Sequence, residues 1–264
     1  MAEAAPPPQA AQFPLFYKSP VALDAKRHAA AGLADPNDLG FARATNVVPL
    51  SGPEMMRAQA HYPLVFGTGA KPPVLAVVGF KGDRNLFIGE DARWQHGVYV
   101  PAYVRRYPFI FMSMTNEQRL ILCVDEGAPQ FSSTGGVHKL FDGDKPSPST
   151  EQALKFCAAY QADIDASQQF TAELVQRNLL VENRAQAKLD DGRQFELVGF
   201  QVMPEERFNL LPDQVILDWR KRGWLALAYA HLMSQHRWGD LTALAVAEDD
   251  GHGKPARDRK KAKS

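Results

Sequence analysis

Two adjacent arginines, Arg105 and Arg106, stand among Trp94, His96, Tyr99, Tyr103 and Tyr107. A guanidinium is a planar fork that matches a carboxylate or phosphate, while tyrosine and tryptophan rings offer stacking faces and an apolar wall. These seven residues make a candidate site for a small acidic ligand or a peptide. His96, in Trp-Gln-His-Gly, adds an imidazole able to titrate near neutrality, or only a hydrogen-bonded loop side chain. The same set also admits an architectural role, with arginine stems covering an aromatic core and their heads paired with Glu90, Asp91 or other acids.

Other chemically suggestive patterns fail on spacing. His231 and His236 are five apart, hence on different sides of a helix, and neither HExxH nor CxxC occurs. The stretches SSTGGVHK and GTGAKPP lack a glycine turn opening directly into a helix, which a phosphate cradle needs. Asp142-Gly143-Asp144 is without the spaced oxygen ligands of a calcium loop, and no serine stands in GxSxG. No catalytic residue, metal or cofactor is expected.

The elements that must position the arginines are set by prolines. Pro101 suits the first turn of a helix and Pro108 disfavours helix at Tyr107, which brackets barely two turns. Six of the eighteen positions from Trp94 to Phe111 are aromatic, against 26 in all 264, so this stretch belongs to a core or a pocket wall. After Pro108, FIFMSM and RLILCV read as a hairpin of two buried strands. The run YVPAYVRRYPFIF, with NVVPLS and HYPLVF upstream and DWRKRGWLALAYAHLMS downstream, resembles the SapC family of bacterial proteins over about residues 13–244. That family takes its name from a gene at a surface-layer locus. The resemblance therefore implies a non-enzymatic role in surface-layer or cell-envelope biology, with a surface-layer protein as partner, and brings no catalytic residues with it. Two alternatives remain: a cytoplasmic binding or accessory module using the aromatic-arginine surface, and an enzyme whose site left no linear motif.

Residues 1–12 are expected to be a disordered lead-in, 13–247 one α+β domain or two packed lobes joined by a loop at 127–149, and 248–264 a disordered basic tail. Within the domain, Ser51 and Glu54 form a capping box for a helix over 53–60, and Tyr62–Phe66 and Pro73–Lys81 read as strands. The segment 24–39 reads as loop or weak helix. Ser149 and Gln152 start one long helix, or two abutting ones, to about Asn178, with Leu154, Cys157, Tyr160, Ile164 and Leu174 at helical intervals. Asp190-Asp191-Gly192 marks a hairpin. A C-terminal pair follows, from Pro212 to Gly223 and from Trp224 to Gln235, the second with Leu225, Ala228, Tyr229 and Leu232 on one face. The fold class is α+β, a mainly antiparallel sheet with the long helix and the C-terminal pair packed on it.

Thirty basic and thirty acidic residues leave no net charge to recruit nucleic acid, and no nucleic-acid partner is expected. Two cysteines in this length are no disulfide framework, so Cys123 and Cys157 should be buried free thiols. Neither a secretory signal nor a stretch of membrane-spanning length occurs, which points to a cytoplasmic protein without membrane insertion, or one reaching the surface by another export route.

Overall fold

Runs of β-branched and aromatic residues, too short to bury both faces alone, pair side by side, and among the described residues each pair of strands is antiparallel. The fold is α+β. The computed structural model describes residues 13–35, 37–113, 120–188 and 194–253. The lead-in 1–12, the turns at 115–118 and 190–192, and the tail beyond 253 lie outside the described residues. The chain clusters into two compact units, one made of residues to 35 and 107–151, the other of 36–106 and the residues from 152. Tyr107 thus falls in the first unit, and the other six candidate residues in the second.

In the first unit, Phe109–Ser113 and Leu120–Asp125 pair from Phe109 opposite Val124 to Ser113 opposite Leu120, the hairpin strands read from the sequence. Pro20–Ala22 adds an edge strand on the other side of Leu120–Asp125. The anchor of this sheet is Asp125, fully buried, whose oxygens accept hydrogen bonds from Lys18 N (3.0 Å), Ser19 N (2.6 Å), Gly127 N (3.1 Å) and the Tyr107 hydroxyl (3.0 Å). Four donors make burial of that carboxylate tolerable.

The stretch 127–149 is not the plain loop expected of its Gly, Pro and Ser content. It carries Phe131–Ser132 and His138–Lys139, both paired to Gly32–Leu33, and a small hairpin, Phe141–Asp142 with Lys145–Pro146. All of it lies inside the first unit. Two-residue strands have no readable period, and their pairing partner is some hundred positions upstream, in a segment expected to be loop or weak helix. Gly136 (φ +154°) is required here: a Cβ would lie 2.8 Å from Gly32 C and Leu33 N.

The second unit is built on a five-stranded sheet in the order Val181–Lys188, Gln194–Val202, Leu64–Phe66, Val74–Val77, Val47–Leu50. Its helices are Met55–Ala58 (α1), Ala102–Arg105 (α2), Pro148–Gln176 (α3, whose first turn belongs to the first unit), Glu205–Asn209 (α4), Asp213–Arg222 (α5), Trp224–Ser234 (α6) and Arg237–Gly253 (α7). The expected cap at Ser149 lies two residues further back. Ser147 Oγ accepts from Thr150 N (3.3 Å), and Pro148, with no N–H to satisfy, takes the first helical position.

On α6 the buried positions are Trp224, Ala228, Ala230, His231 and Ser234, four of them forming a helical stripe displaced from the one expected, and Tyr229 is half exposed. The stripe contains two polar residues, which hid it. Ser234 Oγ accepts from Leu64 N (3.0 Å), and Gln235 Nε2 donates to Leu64 O (2.9 Å), fastening the helix to the sheet. Phe170 of α3 meets Trp219 (ring centroids 5.8 Å) and Trp224 (6.0 Å), and Leu154, expected to be inward, is exposed. Helix α7 was not foreseen and runs six residues into the expected tail; Glu248 pairs with Arg84 there. Both cysteines are free and buried.

Candidate ligand-binding cleft

The capping box at Ser51 does more than start a helix. Gly52–Glu54 is a 3-10 turn leading into α1, and the Glu54 side chain folds back so that Oε2 accepts from Ser51 N (2.8 Å) and Ser51 Oγ (2.9 Å). Its Oε1 accepts from Ala102 N at the start of α2 (2.6 Å) and from the Tyr99 hydroxyl (3.0 Å). A buried carboxylate with four donors thereby pins one short helix to the next. Tyr99 also accepts from Arg105 Nη2 (3.1 Å), and Arg105 Nε donates to Val100 O (3.0 Å). The guanidinium of Arg105 is thus held in place by groups on its own segment, 5.1 Å from the Phe156 ring centre and 5.7 Å from that of Tyr99.

These groups border a cleft of about 270 Å³. One side is α3, which supplies Phe156, Ala159, Tyr160 and Asp163, residues at helical spacing on a single face. The other side is Glu54 and Arg57 with the loop and helix carrying Tyr99 and Arg105. Burial raises the Tyr160 hydroxyl above its ordinary value, and burial followed by the Glu54 charge does the same to Tyr99. Asp163 is also raised, first by burial and then by the Glu54 charge. The rings therefore stay neutral, and the acid would gain from a cationic neighbour.

The structure separates the seven candidate residues. Tyr99 and Arg105 border the cleft. Trp94 is buried in the core, its Nε1 donating to the Tyr62 hydroxyl (2.9 Å), which itself donates to Tyr99 O. Arg106 is stacked between Tyr103 (4.3 Å to the ring centre) and Tyr160 (4.6 Å), so its cation lies against two buried rings. Tyr103 is buried, and its hydroxyl is raised by burial. Tyr107 gives its hydroxyl to Asp125 in the first unit, and His96 is exposed and not part of the cleft wall. Arg105 makes its hydrogen bonds to Val100 O and the Tyr99 hydroxyl rather than to Glu90 or Asp91; the Glu90 backbone carbonyl accepts from Arg43 Nη2 (3.3 Å), and Asp91 Oδ1 accepts from Arg93 N (3.0 Å).

Sequence reasoning missed Glu54, Arg57, Phe156, Tyr160 and Asp163 as neighbours of Arg105. Only the spacing Phe156, Tyr160, Asp163 could have hinted at them, since it puts two rings and an acid on one helix face. Among the described residues no three or more His, Cys, Asp or Glu side chains converge where a metal ion could sit.

An α+β protein with a cleft of small-ligand size bounded by arginines, acids and rings is the class these features define. The chain belongs to the SapC family, whose model matches residues 23–241. No curated protein and no solved structure matches it. Among the described residues no helix is long and apolar enough to cross a membrane.

Proposed function

We propose that this SapC protein is a non-catalytic binding or accessory protein of surface-layer or envelope biology, acting from the cytoplasm, and that it holds a small carboxylate-bearing ligand or a peptide at Arg105 and Tyr99. The envelope context is drawn from the family name, and the ligand from the cleft. The observation that supports binding is the state of Arg105. Two of its five donors orient it on Val100 O and the Tyr99 hydroxyl, and among the described residues no carboxylate pairs with it. An exposed guanidinium held rigid without an acid has little ordering left to lose when a carboxylate arrives. The aromatic wall gives the remainder of the ligand an apolar surface.

A thermal-shift screen of metabolites and short peptides tests this. A ligand at a hundred times its Kd adds about 2.7 kcal/mol to stability. Arg105→Ala should abolish that shift while leaving the unliganded melting point nearly unchanged, because its side chain is exposed. Retention of every shift in that variant refutes the site. For the envelope context, deletion of the gene should alter the surface layer, and an unchanged envelope refutes that part alone.

A further inference from the structure

Charge in the cleft is balanced: Arg57 and Arg105 on one side of the account, Glu54 and Asp163 on the other. The four groups are not equivalent. Glu54 is saturated by its four donors, so it contributes a fixed negative charge but no vacant acceptor. Arg105 keeps donors to spare. Arg57 is exposed on α1, and Asp163 is half-buried on α3, and among the described residues neither side chain makes a hydrogen bond or ion pair, although both border the same space. A cation and an anion that share a cleft without meeting leave room for a ligand that answers both.

We infer that the ligand is a zwitterion of amino-acid size, its carboxylate taken by Arg105 and Arg57 and its ammonium by Asp163, with an apolar or aromatic side chain against Phe156 and Tyr160. This rests on reading the cleft as the ligand site and narrows what that site accepts. A purely anionic ligand satisfies the arginines but faces the Glu54 and Asp163 charges, and a purely cationic one meets the reverse. The volume, about 270 Å³, falls just below the range filled by drug-sized ligands, which suits a single amino acid or the end residue of a very short peptide. The raised Asp163 carboxyl fits the same picture, since an ammonium partner favours its charged form.

Titration calorimetry on the full chain at pH 7.5 separates the possibilities with four probes: L-phenylalanine, L-leucine, 3-phenylpropionate and 2-phenylethylamine. At least one amino acid should bind, and the two analogues carrying a single charge should bind at least about tenfold more weakly than L-phenylalanine, the scale of one lost charge-assisted hydrogen bond. Asp163→Asn should weaken L-phenylalanine about tenfold and leave 3-phenylpropionate unchanged or tighter, while Arg57→Gln weakens both carboxylates. Thermal melts of both variants confirm that they fold. Equal binding of 3-phenylpropionate and L-phenylalanine, indifferent to Asp163→Asn, overturns the zwitterion and leaves a carboxylate site standing. Failure of both amino acids to bind overturns it as well. If, in addition, no ligand in the wider screen gives a shift sensitive to Arg105→Ala, the reading of the cleft falls with it.

Discussion

Mild acid should destabilise this protein through one imidazole. His231 is fully buried on α6, its ring 4.8 Å from that of Phe66. Its Nε2 accepts from Met203 N at 3.0 Å, so the ring proton resides on Nδ1 and the side chain is neutral. A second proton would have to enter at Nε2, against the Met203 N–H, on a ring with no surface exposed to solvent. Burial accordingly pushes the imidazole down from 6.5 to about 4. In the unfolded chain the same group protonates near its ordinary value, so between those limits the unfolded state binds the proton and the folded state does not. Stability is complete above about pH 7 and falls as pH drops through 6.5 toward 4. At about 1.36 kcal/mol per pH unit the whole interval is worth on the order of 3 kcal/mol, of which about 2 kcal/mol is lost by pH 5. Urea unfolding between pH 7.5 and 5, fitted for midpoint and slope, measures it. His231→Gln retains an oxygen for the Met203 N–H but cannot titrate, so its midpoint should be lower at pH 7.5 and much flatter below. His61, lowered by burial and then by Arg237, leaves a small residual slope of the same sign. Glu126, held low by Arg27, titrates beneath this window. Parallel loss of stability in wild type and His231→Gln would refute the argument.

Two other expectations follow from buried groups. Glu54→Gln preserves shape but replaces one oxygen by an NH₂ that confronts two of the four donors now satisfied, so it should cost about 2–3 kcal/mol in denaturant unfolding. An effect below about 0.5 kcal/mol would show that the carboxylate does not hold α2 to α1. Burial raises the Cys157 thiol to about 11 and Cys123 in the same direction, so the native protein should react with a thiol reagent at neutral pH only on unfolding, when both thiols become titratable. Rapid labelling of either in the native state would contradict the packing around it.

Much of the architecture was legible in the amino-acid order. Continuous apolar runs after Pro108 and around Cys123 gave the first-unit hairpin, the helical recurrence of Cys157, Tyr160 and Leu174 gave α3, and Ser51 with Glu54 marked the start of α1. The family resemblance, the free thiols and the α+β class came from the same source. The hairpin, α3 and the start of α1 share a cause: each depends on residues within a few positions of one another, where dihedral preference and a 2- or 3.6-residue period act directly. What surrounds each candidate side chain was a different matter. That Tyr99 donates to Glu54 while Tyr107, eight residues on, donates to Asp125 in the other unit could not be read from spacing. The same holds for His231 meeting Met203 N and for the short strands that pair across 32–33 and 131–139. A period says which way a side chain points, whereas its partner is chosen by how distant segments close on one another, and only that closure brought Arg57, Arg105 and Asp163 to one cleft.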